Sequence, residues 1–587
     1  MTDVASKDQT KPVALDTLSQ SAHEDPRLWP TTHKWLIVTI ISLMGFISPL
    51  GSSIIIPGCH AIDYKFDLSS RPLSLLPVSL FVLGLGAGPF CLAPASELVG
   101  RRPVYVVTSL IFILFNVATG AVETFPGLCV LRFFAGVFGS TGPSLGAGSI
   151  GDLFSPQERG RAQSLYGLGP LLGPVVGNII GGWIIQDNPR SWRWLLWTLT
   201  IMSGVIAVVV CVGLRETYAP VILEKKRKAL ANKLSGIGDG VDDNAVSSQR
   251  GRALAWFHAT SSTLAHRSHS LLYPTPTAKA KYIQAFSRPF RLLFTNPICA
   301  IFSFYLGFCY GIIFLFLVEH PLVFQRREGA DDPPPGPRLP TYGWGPGPAG
   351  LTYGGLGLGF LAAALVNAFL QDPIYRRLAA SRGRLGWILF RSPQTIHDML
   401  YGKDAPSGSN GCESDVEKSG GTSTTVTAVV SSSLPDATAA AAAATPSSQP
   451  ATKGQPEYRL PLCLLGMLVL PVGLFIFGWA AQAQTHWTIP LIGSLLVGAG
   501  TILCFQSILV YLVDAFIPYS ASATACAVLV RSVLAAVFPL FAQKLYRALG
   551  FGWGSSLLAF IALAGLPAPL VLFRYGEGLR ERYRFSG

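Results

Sequence analysis

Residues 92–105 read Leu-Ala-Pro-Ala-Ser-Glu-Leu-Val-Gly-Arg-Arg-Pro-Val-Tyr, a polar break between two long apolar runs. The break places Glu97, Arg101 and Arg102 between segments that are each long enough to cross a bilayer as a helix. Charged side chains are costly beside hydrocarbon. A break this short and this charged therefore indicates a tight connection between two membrane-spanning helices.

The composition of the whole chain excludes a soluble globular protein. Of its 587 residues, 50% are hydrophobic and 13% are charged, and the mean hydropathy is +0.43. Apolar stretches that match a hydrocarbon core of ~30 Å recur along the chain. We predict an all-α polytopic membrane protein with about twelve transmembrane helices in two six-helix halves.

The apolar and polar stretches divide the chain into seven predicted segments. They are a disordered cytosolic N-terminus (1–34), an N-terminal six-helix bundle (35–214), a central cytosolic loop (215–296), the first two helices of a C-terminal bundle (297–370), a cytosolic loop with a low-complexity insertion (371–459), the last four helices (460–573) and a cytosolic tail (574–587). Basic residues concentrate in the connections placed in the cytosol, as the positive-inside bias requires. Arg193 and Lys544 fall in outer connections, so the bias is incomplete.

The residue types argue against metal, nucleotide and nucleic-acid chemistry. The ten cysteines are scattered without a Cys-x-x-Cys pair, and the chain has no Gly-x4-Gly-Lys-Ser/Thr phosphate loop. Most of the formal charge of +13 lies in short loops that flank helices, without interleaved aromatic residues. The sequence predicts no cofactor, no metal and no nucleic-acid partner, and a lipid bilayer as the surroundings.

The fifth predicted span carries a stripe of glycines spaced four residues apart, with two prolines beside it. These helix-seam residues are Gly169, Pro170, Gly173, Pro174, Gly177 and Gly181. Small residues let another helix approach closely, and prolines remove backbone donors and bend the helix. The stripe is either a static packing surface or a seam on which two groups of helices slide. We favour the sliding seam, because two halves that rock about a midplane site provide alternating access.

Several stretches carry a resemblance to a known family. They are residues 94–105, 132–139, 169–177, 192–194, 288–294 and 456–461. They are distributed over nearly all of the chain outside the tail and the long loops. The chain resembles the major facilitator superfamily transporters, and within them the fungal twelve-span drug:proton antiporters, the branch that contains polyamine and multidrug exporters.

The resemblance implies a latch at the cytosolic side, in which an acid pairs with arginines after the second span. The implied gate residues are Glu97, Gly100, Arg101 and Arg102, and an internal echo of the spacing adds Asp372 and Arg376 to the predicted gate. Glu97 and Arg101 are four apart, which suits an ion pair if the helix continues through both. Asp372 and Arg376 repeat this spacing in the second half, which supports two related halves.

Arg132 is predicted to lie inside the fourth span. An arginine at a helix centre costs about 2.5 to 3.5 kcal/mol on insertion scales, so its side chain should face the protein interior or water. The alternative is a side chain that snorkels to the outer interface. The resemblance implies a role in proton coupling, which requires a nearby carboxylate. Glu319 is our first candidate, followed by His320 and Asp514, and Arg531 is a second cation within a span.

These observations predict a secondary transporter that exports a small organic compound in exchange for protons. The cations within spans favour an anionic or amphiphilic metabolite over a polyamine, whose amines would require acids in the cavity. Organic acids, secondary metabolites, glycolipid-like products and drugs stay open, as do polyamine antiport, proton-coupled uptake and a transporter-like receptor. We expect a monomer without enzymatic activity in the plasma membrane, with the vacuolar membrane as the alternative.

Overall fold

The computed structural model describes residues 26–68, 71–154, 159–187, 191–224, 287–326, 339–380, 455–516 and 519–583. These residues are mostly helical, and their one pairing of extended backbone is an isolated bridge between Gln325 and Trp344. The prediction of an all-α chain is confirmed. The segments predicted as disordered or as long loops lie outside the described residues at 1–25, 225–286 and 381–454, as does the end of the tail from 584.

The first half of the chain contains nine helices, counted over its described residues. They are α1 (Thr31–Ser53), α2 (Cys59–Phe66), α3 (Arg71–Ser74), α4 (Leu76–Val99), α5 (Arg101–Ala121), α6 (Phe125–Gly139), α7 (Thr141–Leu153), α8 (Arg159–Asp187) and α9 (Arg193–Gly213). Only Ser140 separates α6 from α7, and the two form one apolar segment, Phe125–Leu153. The short helices α2 and α3 connect α1 to α4.

The second half contains seven helices within its described residues, and a further helical stretch at 287–295 precedes them. They are α10 (Pro297–Phe324), α11 (Pro346–Leu351), α12 (Tyr353–Ala380), α13 (Pro461–Gln482), α14 (Thr488–Ala515), α15 (Ser520–Ala564) and α16 (Pro567–Arg582). Helix α15 breaks at Gly550, whose φ of 77° and ψ of 171° are not helical. Over the described residues, 11 segments are long and apolar enough to cross a membrane, and the last, Ser522–Arg582, contains this break. That segment therefore holds two of the predicted spans.

The chain divides into two units, of which the smaller comprises residues 372–458. The structure describes 372–380 and 455–458 of this unit. Within it, the rings of Tyr375 and Tyr458 lie 6.4 Å apart. The larger unit contains both halves of the helical bundle.

Helices α1 and α8 run parallel with their backbones in near contact. A Cβ atom at Gly173 would lie 2.6 Å from the carbonyl oxygen of Phe46, and one at Gly181 would lie 2.5 Å from that of Ile54. The carbonyl of Pro174 accepts a hydrogen bond of 2.8 Å from the Ser53 hydroxyl. In this structure the stripe packs against α1, a helix of its own half that fills the space left by the glycines. The sliding of two groups of helices on this seam stays a prediction.

The rest of the stripe shares this contact. A Cβ atom at Gly169 or Gly177 would lie 2.7 Å from a carbonyl oxygen of α1, and Pro170 packs over Gly45. Helix α8 continues through both of its prolines. Close approach of two backbones is how helices associate in lipid, where hydrophobic drive between them is weak.

The second half repeats the helix pairings of the first. Helix α10 packs in parallel on α15 through Gly307 and Gly311, as α1 packs on α8 through its glycines. Glycines also mediate the contact of α4 with α6 and the contact of α12 with α14. In each half, the first span thus packs on the fifth and the second span on the fourth, which is the arrangement expected of an internal repeat.

The two halves meet along two lines. In one, Ser532 of α15 packs on Gly86 of α4. In the other, the Gln186 side chain of α8 accepts a 2.9 Å hydrogen bond from the Gly347 amide of α11, and a Cβ atom at Gly182 would lie 2.6 Å from the Pro346 carbonyl oxygen. The second line thus involves the C-terminal part of α8.

The contact of α8 with α1 predicts a steric test. Gly173→Ala should lower the free energy of unfolding by about 1 to 3 kcal/mol, because the new methyl group meets backbone atoms that cannot rotate away. Gly167→Ala is the matched control on the same helix, since a Cβ atom there meets nothing within 4 Å. Thermal unfolding of the purified protein in detergent measures both. Equal unfolding temperatures for the two variants would contradict the backbone contact.

Candidate functional site

The guanidinium of Arg101 joins the start of α5 to the end of α7. Its Nε donates to Oδ2 of Asp152 at 3.4 Å, and its Nη1 donates to the Ser96 hydroxyl at 2.6 Å. The guanidinium carbon also lies 5.2 Å from the ring centroid of Tyr218. The Arg101 side chain is 11% exposed, so this ion pair is shielded from water more than an ordinary surface pair.

Glu216 binds the backbone at the beginning of α5. Its carboxylate accepts hydrogen bonds from the amides of Arg101 at 2.9 Å, Arg102 at 3.2 Å and Tyr218 at 3.0 Å. The first amides of a helix lack partners within the helix and carry partial positive charge, so a carboxylate stabilises them. Arg102 donates to the Cys211 carbonyl at 3.2 Å.

Glu97 does not form the pair with Arg101 that the sequence predicts. Its side chain is exposed and has no ion pair among the described residues. The helical spacing is interrupted at Gly100, which ends α4 and begins α5 with a φ of 110°. A side chain at Gly100 would be strained, and its Cβ would lie 2.5 Å from the Glu216 carboxylate. Asp152 therefore pairs with the Arg101 guanidinium, and Glu216 binds the backbone amides of both arginines, while Glu97 binds neither.

The second half contains an equivalent ion pair. Arg459, just before α13, donates from Nε to Oδ2 of Asp514 at 3.2 Å. Asp514 lies at the end of α14, as Asp152 lies at the end of α7. The pair thus joins the start of the third span to the end of the fourth in both halves. Asp514, a predicted coupling candidate, already has an arginine partner.

The predicted second-half counterpart of the latch, Asp372 with Arg376, is not the pair that repeats the first-half ion pair. Asp372 and Arg376 are one turn apart and exposed on the last part of α12, in the smaller unit. The repeat of the first-half ion pair is formed by Arg459 and Asp514, which lie far from Asp372 in sequence.

Arg132 is completely buried in α6. Its Nη2 donates to the carbonyl oxygen of Gly51 at 2.6 Å, and its guanidinium carbon lies 4.3 Å from the centroid of the Phe81 ring. Nε and Nη1 have no hydrogen-bond partner among the described residues. The side chain thus faces the interior of the first half rather than the outer interface, and an aromatic face partly compensates its charge.

Arg531 is the second cation inside the bundle. Its guanidinium carbon lies 4.6 Å from the ring centroid of Tyr310 and 5.4 Å from that of Phe505. The side chain is partly exposed, while its Nε is buried and has no hydrogen-bond partner within the described ranges. Two aromatic rings from two other helices thus hold this arginine in place.

The remaining coupling candidates do not contact Arg132 where they are described. His320 is buried, donates from Nδ1 to the Phe316 carbonyl at 2.9 Å and stacks on Tyr353 with ring centroids 4.7 Å apart. It therefore belongs to an aromatic cluster in the second half. Glu319 precedes it in α10, and its side chain lies outside the described residues.

At the opposite end of the first half, an exposed cluster of charged side chains connects α2 and α9 with the loop before α6. Arg193 donates to Glu123 at 2.6 Å, and Lys65 lies 3.6 Å from the same carboxylate. The Arg193 guanidinium holds the pKa of Glu123 below its ordinary value, with a smaller contribution from Lys65. This cluster connects Glu123, in the loop before α6, with α2 and α9, so ion pairs lie at both ends of this half.

The sequence analysis missed the acids that partner its arginines. Asp152 is 51 residues from Arg101, and Glu216 is 115 residues away. The available signal was position: each acid lies at or just after the end of a predicted span. An acid at a helix end beside the basic connections was therefore a better partner than Glu97.

The contacts of Glu216 predict how the two acids differ. Glu216→Gln should lower the free energy of unfolding by about 1 kcal/mol or more, because three amides lose a charged acceptor. Glu97→Gln, the matched control, should change it by less than about 0.5 kcal/mol. Thermal unfolding in detergent compares them. A larger loss of stability with Glu97→Gln than with Glu216→Gln would contradict these contacts and favour the latch predicted from the sequence.

Several known proteins are similar to this chain over nearly its full length. The chain is 33% identical to "Efflux pump radE" of Floropilus chiversii, over 96% of its own length and 84% of the relative. It is 34% identical to "MFS transporter cpaT" of Aspergillus oryzae, over 99% and 94%. It is 31% identical to "MFS-type transporter penM" of Penicillium rubens, over 96% and 88%.

Solved structures share the fold. The proton:xylose symporter XylE bound to 6-bromo-6-deoxy-D-glucose matches with a TM-score of 0.53 and 14% identity, over 93% of this chain and 96% of that one. A partially occluded inward-open XylE from E. coli matches with a TM-score of 0.51 and 14% identity, over 92% and 99%. At this identity the likeness shows the fold alone.

The predicted superfamily and membrane fold are confirmed, while the drug:proton branch stays a prediction. The sequence profile described as "Major Facilitator Superfamily" matches residues 41–390. With its repeated helical halves and its full-length transporter relatives, this chain belongs to the Major Facilitator Superfamily, and it is an integral membrane transporter rather than an enzyme.

Proposed function

We propose that this transporter exports a small organic compound from the cytosol in exchange for protons, across the plasma membrane. The observation that carries the proposal is the likeness to a relative named as an efflux pump, which extends over 96% of the chain. The match covers both halves of the bundle. Organic acids and other secondary metabolites are the substrate classes that suit a bundle whose interior charges are cationic.

The contacts between the halves support alternating access. One line of contact joins residues 175–186 of α8 to the beginning of the second-half helices α11 and α12, and the other joins Gly86 of α4 to Ser532 of α15. In the predicted orientation the first line lies at the exterior end, as is expected of an inward-facing state. The ion pairs of Asp152 and Asp514 lie at the cytosolic end and join helices within each half. Each half can then move as a body about a central site.

Proton coupling is assigned to the first half through Arg132. Its buried guanidinium has one hydrogen bond, and two of its nitrogens lack a partner in the described part of the chain. A charge of this kind is sensitive to any nearby group that gains or loses a proton. Glu319 stays the candidate carboxylate of this scheme.

The direction of transport is tested by mass spectrometry of culture medium and washed cells. Strains with and without the gene are compared under conditions where it is expressed. We expect deletion to lower one compound in the medium and raise it in the cells. Loss of a compound from the cells, with persistence in the medium, would mean uptake and would overturn the proposed direction.

The role of Arg132 is tested by Arg132→Ala and Arg132→Lys. Arg132→Ala should reduce proton-driven flux in vesicles by about tenfold or more, because the cation–π contact and the bond to Gly51 are both lost. Arg132→Lys keeps the charge and should retain more flux. Fluorescent fusions report whether each variant reaches the membrane. Flux equal to wild type in a correctly localised Arg132→Ala would exclude a coupling role.

A further inference from the structure

We propose that Arg531, Tyr310 and Phe505 form an anion subsite, which binds the carboxylate of an aromatic organic acid. The subsite, defined by these three residues, rests on the proposed function and names its substrate class. The guanidinium would bind the carboxylate, and the surrounding rings would contact the apolar body of the substrate.

Arg531 is positioned for a ligand before one arrives. Tyr310 comes from α10 and Phe505 from α14, and their ring centroids are 6.1 Å apart. Both rings contact the guanidinium of Arg531 on α15. Three helices therefore restrict the side chain, so binding costs little side-chain entropy.

The guanidinium lacks an anionic partner in the protein. Arg531 has neither an ion pair nor a hydrogen bond among the described residues, and its Nε is buried without a partner. A guanidinium presents five N–H donors in a planar fork, which matches a carboxylate through two parallel hydrogen bonds. Aromatic faces compensate part of the charge and satisfy none of these donors in the plane.

The subsite lies where the two halves of the bundle meet. The next residue, Ser532, packs on Gly86 of α4 in the first half. Arg531 is thus adjacent in the chain to a contact between the two halves, and an alternating-access transporter holds its substrate between its halves.

The charges of the described side chains favour an anion over a cation at Arg531. Over the described residues, the paired acids of the bundle lie at helix ends, as Asp152, Asp514 and Glu123 do. Arg531 therefore has no nearby counter-charge along its own span. An unpaired cation in a low-dielectric interior is costly, so an anion gains more here than in water.

Arg132 does not offer an equivalent subsite. It is fully buried, with 0% of the residue exposed, and the Gly51 carbonyl and the Phe81 ring occupy two of its sides. Arg531 remains partly exposed. Of these two cations, Arg531 is the one whose side chain the protein does not fully enclose.

The proposal is tested with a pair of ligands that differ in charge and share one ring system. Purified protein in lipid nanodiscs is titrated with 1-naphthoate and with neutral 1-naphthamide, and binding is followed by thermal stabilisation and tryptophan fluorescence. We expect 1-naphthoate to raise the unfolding temperature and 1-naphthamide to have at least tenfold weaker affinity, about 1.4 kcal/mol.

Variants locate the binding. Arg531→Gln should weaken 1-naphthoate about tenfold or more, and Arg531→Lys should recover part of the affinity because it keeps a point charge. Arg547→Gln is the matched control, since it removes an exposed arginine from the same α15 segment and should bind like wild type. If Arg531→Gln does not fold, the 1-naphthoate affinity of Arg531→Lys is compared with that of the wild type instead.

Three results would overturn the anion subsite. They are equal binding of the two ligands, unchanged 1-naphthoate affinity in Arg531→Gln, and no binding of 1-naphthoate by the wild type up to about 10 mM. The proposed export fails by a different measurement. If culture profiles show that a neutral compound is exported, the proposed substrate class is wrong but export is supported. If they show uptake, the proposed direction is wrong, and the anion subsite is still decided by the binding experiment.

Discussion

Every charged group in an apolar bundle needs a partner from the protein, from water or from a ligand, and this constraint organises the structure. At the helix ends the protein supplies the partner: Asp152 for Arg101 and Asp514 for Arg459. Within the spans it supplies mainly aromatic faces, to Arg132 and Arg531. Charges that hold the fold together are thus neutralised by acids, and charges in the interior are left available for function.

Close backbone contact provides the scaffold on which these charges are placed. Parallel pairs of helices meet through glycines in both halves, so each half is stiff along its length. The ion pair at the end of the third and fourth spans then connects a second set of helices in each half. A transporter that moves two halves as bodies needs rigidity of this kind within each half and weaker contacts between them.

The sequence was sufficient for the fold class, because length, hydropathy and charged breaks depend on local composition. It was sufficient to identify the glycine stripe as a contact surface but not its partner, since α1 precedes it by more than a hundred residues and no local pattern names it. The predicted pair of Glu97 and Arg101 assumed a continuous helix. Gly100 interrupts that helix with a φ of 110°, so the four-residue spacing does not bring Glu97 to Arg101. Asp152 instead pairs with the Arg101 side chain, and Glu216 binds the backbone amides of Arg101 and Arg102.

Arg531, in the proposed anion subsite, affects the order in which substrate binding and the conformational change occur. An inward-facing bundle lets water reach Arg531, whereas occlusion of the site removes that water and leaves the cation beside two aromatic rings. Occlusion is therefore unfavourable for an empty site and favourable when a carboxylate accompanies the guanidinium. The free energy that the bound anion contributes is available for the conformational step itself. The same electrostatic argument that selects the substrate thus ties substrate binding to the movement of the two halves.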